Sequence, residues 1–291
     1  MENNTKGYIL NIKNELLSNI FDVFDVPIRF IYCKIPFLSK LVFWKLYTSD
    51  FNKLDKKFEE MNIFLKKNKF NFRNKICLEL GPGNSYINAY NFLLLGAKKV
   101  ILVDKYPRYI TTAKQKEYFM KEIEFIKKKY AKKDLKFIKN SEIDSKFIEF
   151  IPKDLTEMNK QINVDFVYSL SVFEHIKKVE KNIKKLSQIV KKNGLMYHSI
   201  DMRDHYNFNS PFLFYKYSKN TWEKYLTKLG VSYTNRIRYS EFKKLFEKYG
   251  FETIYEELEK FDLIPTDISK EFDNANKDLN IGIFKALFRK I

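Results

Sequence analysis

The chain is 291 residues long, 45% of its residues are hydrophobic, and its formal net charge is +18 at pH 7. A chain of this length can bury a sizeable core as one domain with additions. Its two cysteines, Cys33 and Cys77, are too few for a disulfide framework. The first residues are polar, and no stretch has the ~20 uncharged apolar residues of a membrane span. These features argue against a secreted or membrane-spanning protein, and we expect a cytoplasmic one.

The positive charge is a weak guide to partners. Lysines are spread through nearly every predicted helix and arginine is scarce, whereas arginine makes the commonest specific contacts to bases. Abundant Lys, Asn, Ile, Phe and Tyr are also typical of an AT-rich genome. The composition therefore does not favour nucleic acid as a partner, although acidic substrates, anionic membrane surfaces and RNA stay open.

Residues 1–70 precede the first clear strand and are predicted to form a helix-rich cap. Within them, Phe21–Tyr47 is dense in aromatic and aliphatic residues, with basic residues interspersed. Three interpretations fit this pattern: a cap packed on the sheet, a substrate lid, and a peripheral membrane contact.

The segment from Ile76 to Ser85 carries the most information. A short apolar run containing Glu79 breaks into two closely spaced glycines, Gly81 and Gly83, and an apolar, helix-compatible segment follows. This pattern indicates a buried strand, a tight turn and a helix start. Glycines in such a turn let a ligand approach the bare backbone, and the helix N-terminus behind them offers N–H groups.

A second apolar run, Val100–Val103, ends in Asp104. An acidic residue at this place can accept the hydroxyls of a ribose, as it does in dinucleotide folds. A dinucleotide site would need a third glycine where this chain has Tyr86, and the chain contains no P-loop pattern. These residues therefore indicate a nucleoside-binding α/β enzyme.

The remaining pattern, Glu79-x-Gly81-x-Gly83-x-Ser85, resembles the first motif of the class I S-adenosylmethionine-dependent methyltransferases. That family has an acidic residue followed by three alternating glycines, the last of which is Ser85 here. S-adenosylmethionine has no pyrophosphate, so the helix end need only receive its carboxylate; S-adenosylhomocysteine is the product. The resemblance assigns to the cofactor site six residues near the predicted strand ends: Glu79, Gly81, Gly83, Asp104, Asp154 and Ser169.

The rest of the chain fits the same fold. Strands alternate with helices, which predicts a mainly parallel sheet covered on both faces. The predicted strands are Ile76–Leu80, Val100–Val103, Phe147–Asp154, Val164–Ser171, Leu195–Ile200, Phe251–Tyr255 and Ile281–Phe288. Helices are expected at about 107–133, 174–192 and 240–249, the second ended by Asn193 and Gly194. We therefore predict a Rossmann-like, doubly wound seven-stranded α/β domain over residues 71–291.

An aromatic-rich insertion of about residues 203–231 follows the fifth strand. Ligands of open α/β sheets bind beyond the carboxyl ends of the strands, so we expect this insert to wall the acceptor pocket. Its rings either stack on a flat acceptor or form a small core of their own. Four residues in this region are assigned to the substrate: Arg203, Asp204, Tyr206 and Trp222.

All three histidines fall at or just after the carboxyl ends of the fourth and fifth strands. The run from His198 to His205 resembles a His-x-Ile-Asp-x-Arg-Asp-His signature of a group of bacterial methyltransferases, some associated with polysaccharide or secondary metabolism. Histidine suits the removal of a hydroxyl proton at neutral pH. We expect His198, Asp201 and His205 to manage that proton. The alternatives are that His198 is a core imidazole, and that Asp201 and Asp204 are turn-forming residues.

Glu174 and His175 raise the question of a metal. Some O-methyltransferases hold magnesium with Glu-x-x-Glu-His, but here Ser171 replaces the first glutamate. Ser171 and Glu174 instead fit a capping box, so we predict no metal. If one binds, Glu174, His175 and His198 are the candidate ligands.

Together these features predict a methyltransferase that acts on a hydroxyl of a sugar, a glycan or a small polar metabolite. The alternatives are an RNA 2′-O-methyltransferase, a metal-assisted small-molecule O-methyltransferase, and a non-catalytic nucleotide-binding partner subunit.

Overall fold

The structure is a computed structural model. It describes residues 50–105, 113–131, 133, 135–139, 142–205, 210–226, 233–262, 264, 267–272 and 278–291. Phe21–Tyr47 and Tyr206 lie outside the described residues. In the described part of the chain, no helix is both long enough and apolar enough to cross a bilayer.

The strands of the described chain are β1 Ile76–Leu80, β2 Lys99–Val103, β3 Ile138–Lys139, β4 Glu142–Ile143, β5 Ile148–Ile151, β6 Val164–Leu170, β7 Val190–Asp201, β8 Phe251–Lys260 and β9 Ile281–Lys290. The centre of the fold is a seven-stranded sheet with the strand order β5-β2-β1-β6-β7-β9-β8. The strands β5, β2, β1, β6 and β7 run parallel, and β9 is antiparallel to both of its neighbours. A short antiparallel pair, β3 and β4, lies apart from this sheet.

Helices cover both faces of the sheet, so the predicted α/β class is confirmed. The longer α-helices of the described chain are α1 Phe51–Lys67, α2 Ile87–Leu94, α3 Ala113–Lys129, α4 Val179–Ile189 and α5 Tyr239–Lys248. Short 3-10 turns at Leu155–Glu157, Phe173–His175 and Leu213–Lys216 connect them, and a helical segment spans Lys219–Leu226.

Two cores lie on the two faces of the sheet, because successive strand residues point to opposite faces. The first core contains Cys77 of β1 with side chains of α1, α2 and α3. The second core contains Leu78 of β1 with side chains of α4 and α5. The central strands are apolar on both faces and therefore appear in the sequence as nearly continuous apolar runs.

The described part of the N-terminal cap belongs to the first core. Phe58, Met61 and Leu65 of α1 are fully buried in this core, on one face of the sheet. Polar contacts add to this packing, since Asn91 of α2 donates to Asp55 at 2.9 Å and Lys129 of α3 pairs with Asp55 at 2.6 Å. Residues 51–67 therefore pack on the sheet as part of the domain core, and the interpretations of Phe21–Tyr47 stay predictions.

The predicted helix over residues 174–192 is divided, which corrects the prediction. A 3-10 turn, Phe173–His175, is separated from α4. The side-chain amide of Asn235 donates to the carbonyls of Phe173 and Ile176 at 2.7 and 3.0 Å, and its backbone N–H donates to the carbonyl of Glu174 at 2.8 Å. Carbonyls that a continuous helix would use are therefore satisfied by a distant residue.

The predicted cap of this helix is also wrong. The helix α4 ends at Ile189 and β7 follows directly, so Asn193, with its left-handed φ of 62°, and Gly194 lie inside a strand. The other helix ends follow the predictions more closely. Gly250, after α5, has φ of 74°. The helix expected at 107–133 is described as α3 over Ala113–Lys129.

Replacing Phe58 with Ala should show whether α1 is integral to the core. The ring centre of Phe58 lies 6.4 Å from that of Phe72 and 5.1 Å from that of Phe92. We expect the free energy of unfolding to fall by about 3–5 kcal/mol, measured by urea denaturation. Ile63→Ala on the same helix is the matched control, because Ile63 is 53% exposed, and it should change stability by about 0.5 kcal/mol or less. Equal effects of the two variants would contradict this packing.

Candidate active site

The turn after β1 is shaped by two glycines. Gly81 and Gly83 have left-handed φ angles of 62° and 59°. A Cβ atom on Gly81 would lie 2.6 Å from Cγ2 of Val172, so no side chain fits there. A Cβ on Gly83 would meet nothing within 4 Å. The backbone at Gly83 therefore borders open space that a ligand can approach.

Hydrogen bonds tie this turn to the end of β2. The N–H of Gly81 donates to the carbonyl of Val103 at 2.9 Å. The N–H of Gly83 donates to Oδ2 of Asp104 at 3.3 Å. The predicted ribose-binding carboxylate thus lies directly beside the predicted cofactor loop.

The helix end behind the loop is occupied by a side chain that the sequence analysis did not single out. Glu122 of α3 is fully buried. Its Oε1 accepts from Ser85 Oγ at 2.7 Å and from the Tyr86 N–H at 2.8 Å, and its Oε2 accepts from the Tyr90 hydroxyl at 3.2 Å. A carboxylate of the protein therefore already accepts the Tyr86 N–H at this helix end. The expectation that the helix end receives the carboxylate of the cofactor stays a prediction.

A signal for Glu122 was present in the sequence. It lies in a lysine-rich helix, but on the same face as the buried residues Phe119, Ile123 and Ile126. A single acidic residue on an apolar helical stripe has to find donors inside the fold.

Glu79 is buried in β1 beneath the loop. Its Oε1 accepts from Asn88 at 2.7 Å, and Oε2 has no hydrogen-bond partner among the described residues. Burial raises the pKa of Glu79 to about 8, and the carboxylates of Glu122 and Asp104 act in the same direction. A nearby cation or hydrogen-bond donor would therefore stabilise the charged form of Glu79.

Two other predicted cofactor residues make contacts within the protein. Oδ1 of Asp154 accepts from the N–H and the hydroxyl of Thr156, at 2.8 and 2.6 Å, and so caps the turn that follows β5. Ser169 is buried at the end of β6, and its hydroxyl is 2.8 Å from Nδ1 of His198. Their roles in cofactor binding stay predictions.

His198 lies inside the second core and not in the site. The imidazole is fully buried, with its ring centre 4.8 Å from that of Phe173 and 5.4 Å from that of Phe246. Burial lowers the pKa of His198 to about 3. The structure therefore supports the core-imidazole interpretation of His198 over the catalytic one.

Asp201 and His205 form a pair at the carboxyl end of β7. Oδ2 of Asp201 is 3.7 Å from Nε2 of His205, and Arg203 holds the same carboxylate through two bonds, at 2.8 and 2.7 Å. Burial alone would raise the pKa of Asp201, but the two hydrogen bonds from Arg203 and the nearby imidazole of His205 bring it below its usual range. Burial opposes the charged form of His205, yet Asp201 and Glu174 raise its pKa above the ordinary value.

Glu174 and His175 adjoin this pair. The centres of the His175 and His205 rings are 4.8 Å apart, and Nε2 of His175 is 4.0 Å from Oε1 of Glu174. Nδ1 of His175 lies 2.7 Å from the carbonyl of Tyr233 and must donate to it, which leaves the lone pair on Nε2. Burial lowers the pKa of His175 to about 4.

The predicted capping box is wrong. The turn Phe173–His175 has no side-chain cap, and Ser171 adopts a left-handed φ of 50°. Glu174 is 1% exposed, and neither of its carboxylate oxygens accepts a hydrogen bond of ordinary geometry from a described residue. Burial raises the pKa of Glu174 to about 8.

The candidate metal ligands also differ from those predicted. One ligand atom from each of Glu174, His175 and His205 lies within 4.8 Å of the others. His198 is replaced by His205 in this set, because the β7 strand turns the imidazole of His198 into the core.

The insert builds a core of its own, which was one of the two sequence interpretations. Trp222 is fully buried, and its indole N–H donates to the carbonyl of Thr234 at 2.8 Å. This placement does not support stacking of Trp222 on an acceptor. The insert core comprises Phe212, Phe214, Tyr215, Trp222 and Leu226, together with Leu279 from the segment before β9.

Two other predicted substrate residues, Arg203 and Asp204, lie close to the histidine cluster. Asp204 is fully buried, and its N–H donates to the carbonyl of Pro211 at 2.7 Å. The guanidinium of Arg203 lies 5.1 Å from the ring centre of Phe261 while it holds Asp201. Lys57 of α1, which the sequence analysis missed, is close enough that Asp201 and Glu174 act on it electrostatically.

A family model described as "Methyltransferase domain" matches residues 52–256, well over half of the chain. No curated protein sequence matches the chain significantly.

Solved structures with similar folds include two methyltransferases. The magnesium protoporphyrin IX methyltransferase of Synechocystis PCC 6803, with bound S-adenosylhomocysteine, is 11% identical, with coverage of 91% of this chain and 98% of that one and a TM-score of 0.49. A protein of Galdieria sulphuraria assigned as a sarcosine dimethylglycine methyltransferase is 16% identical, with coverage of 81% and 85% and a TM-score of 0.49. Identities this low say nothing about the acceptor of this chain.

The family match spans the glycine turn, Asp104 and the Glu174–His205 cluster, and the sheet has the seven-stranded, mainly parallel form that the resemblance implied. The chain belongs to the methyltransferase-domain family and is an S-adenosylmethionine-dependent methyltransferase.

Proposed function

We propose that the enzyme methylates a hydroxyl group of a sugar, a glycan or another small polar metabolite, and that Asp201 and His205 remove the proton. One observation carries this proposal. Val172 packs against Gly81 of the glycine turn, and Glu174, two residues further on, lies beside His175 and His205. The titratable cluster is therefore next to the loop that is proposed to hold the methyl donor.

Methyl transfer from a sulfonium is a direct displacement, so the main task of the enzyme is to align the two reactants. The bond from carbon to sulfur breaks as the bond from carbon to the acceptor oxygen forms, and S-adenosylhomocysteine leaves as a neutral thioether. A hydroxyl acceptor must also lose a proton. We assign that proton to His205, whose imidazole faces the carboxylate of Asp201.

The surrounding contacts support the roles of His205 as the proton acceptor and Asp201 as its partner. Arg203 holds Asp201 through two hydrogen bonds, so the carboxylate has a defined orientation towards His205. Asp201 then stabilises the imidazolium that forms when His205 accepts the proton.

The small, buried, polar character of this cluster favours a compact hydroxylated acceptor over RNA, for which the overall charge is the one supporting feature. The cytoplasmic location stays a prediction.

Metal-assisted O-methylation is a second candidate, favoured by the cluster of Glu174, His175 and His205. Two imidazoles and a carboxylate are ligands for Mn²⁺, Fe²⁺, Co²⁺ or Zn²⁺. In that case a cation would bind the acceptor oxygen and lower the pKa of its hydroxyl. His205 would then be a ligand and not the base.

Replacing His205 with Ala should separate catalysis from cofactor binding. We expect transfer to fall by about 10²–10⁴-fold, because the proton acceptor is lost, while the Kd for S-adenosylhomocysteine stays within about threefold. The assay incubates the enzyme with S-adenosylmethionine and a panel of hydroxylated metabolites and detects the methylated product by mass spectrometry. The control is His198→Phe, which keeps a ring in the second core and should retain activity. Parallel loss of turnover and cofactor affinity in His205→Ala would contradict the assignment.

The pH dependence should follow the pKa of His205. A base works only when it is neutral, and Asp201 and Glu174 raise this pKa. The rate should therefore rise with pH, with a midpoint above about 6.5, the usual value for histidine. Asp201→Asn should lower both the maximal rate and this midpoint, because the charge that favours the imidazolium is removed. A midpoint that does not move in the pH–rate profile of Asp201→Asn would argue against the pair.

Removing metal should decide between the two candidates. If His205 acts as a base, dialysis against a chelator should leave the rate unchanged, and isothermal titration with Mn²⁺ or Zn²⁺ should show no saturable binding that depends on Glu174. Loss of activity on chelation, restored by one of these ions in the parent protein but not in Glu174→Gln, would establish the metal-assisted route.

A further inference from the structure

Glu122 is a buried carboxylate that the reaction does not use. It lies at the middle of α3 with no exposure to solvent. Its two oxygens accept from the three donors already described: the Ser85 hydroxyl, the Tyr86 N–H and the Tyr90 hydroxyl. Burying a carboxylate is costly unless such donors surround it, so this arrangement calls for an explanation.

The donors are not equivalent. Ser85 and Tyr86 form the last part of the glycine turn, whereas Tyr90 lies one turn further along, within α2. The Ser85 hydroxyl also accepts from the Ile87 N–H at 3.4 Å, so the contact reaches into the first turn of α2. A carboxylate at this helix end is also favourable because the N-terminus of a helix carries partial positive charge.

The glycine turn needs such an anchor. Two of its residues are in the left-handed region, and glycine loses more conformational freedom on ordering than any other residue. Hydrogen bonds to Val103 and Asp104 fix the start and the middle of the turn. Glu122 fixes its end, because a single carboxylate oxygen accepts from both Ser85 and Tyr86.

We infer that Glu122 is a positioning residue for the cofactor: it holds Ser85 and Tyr86 so that the turn is ordered before S-adenosylmethionine binds. Ser85, in place of the third glycine of the family motif, supplies the hydroxyl that makes this anchor. The glycine turn then loses its conformational entropy when the protein folds and not when the cofactor binds. The anchor therefore raises the affinity for the cofactor. The inference rests on the proposed role of residues 81–85 in cofactor binding and is independent of the acceptor.

Calorimetric titration with S-adenosylhomocysteine tests the inference, at a temperature at which circular dichroism shows every variant folded. Glu122→Ala should raise the Kd by about tenfold or more. Glu122→Gln should stay within about threefold, because the amide oxygen can still accept from Ser85 and Tyr86. The control is Glu117→Ala on the same helix, an exposed residue that pairs with Lys121, and its Kd should not change.

A second pair of variants keeps the test decisive if Glu122→Ala does not fold. Ser85→Ala and Tyr90→Phe each remove one hydroxyl donor to Glu122, but only Ser85 belongs to the turn. We expect Ser85→Ala to weaken binding about fivefold and Tyr90→Phe to change it by less than twofold. Equal effects of the two, or a parent-like Kd in folded Glu122→Ala, would overturn the inference.

Asp104→Ala distinguishes failure of the inferred Glu122 anchor from failure of the proposed cofactor site. If Asp104→Ala weakens binding while the Glu122 and Ser85 variants do not, the turn binds the cofactor without the anchor. If none of these variants alters the Kd, the cofactor binds elsewhere, and both assignments fall.

Discussion

The site depends on one close contact, that between Gly81 and Val172. No side chain fits at Gly81, since a Cβ would lie 2.6 Å from the Val172 side chain. The turn after β1 therefore packs directly on the segment after β6. Because β1, β6 and β7 are adjacent parallel strands, their carboxyl ends meet at one edge of the sheet. This contact makes the glycine turn a neighbour of the cluster formed by Glu174, His175 and His205.

Carboxylates dominate the electrostatics around the cofactor loop. Glu79, Asp104 and Glu122 all surround the glycine turn, and their mutual influence contributes to the raised pKa of Glu79. S-adenosylmethionine carries a sulfonium and an ammonium besides its carboxylate, whereas a nucleoside phosphate carries negative charge alone. Carboxylates around the turn therefore disfavour a nucleoside phosphate more than they disfavour S-adenosylmethionine.

The three histidines illustrate how little their position along the chain says about their chemistry. His198 lies on β7 and points into the second core, among phenylalanine rings. His205 lies beyond the end of that strand and turns back towards Asp201 and Glu174. His175 comes from a different connection and meets His205 with a ring separation of 4.8 Å. Burial lowers the pKa of His198 and His175, whereas nearby carboxylates raise that of His205, so the pKa of the same residue type is shifted in opposite directions.

The amino-acid sequence by itself determined the strands, the glycine turn with Asp104, and through them the fold and the cofactor class. These features are local: a strand buried on both faces is a continuous apolar run, and a left-handed turn beside a close neighbour requires glycine. Tertiary structure alone decided which histidine faces the carboxylates, that Trp222 fills the insert core, and that Glu122 anchors the turn from 36 residues away. Those outcomes depend on which side chains meet once the elements have packed together. The helical stripe of Phe119, Ile123 and Ile126 indicates that Glu122 is buried, but it does not identify the partners of Glu122.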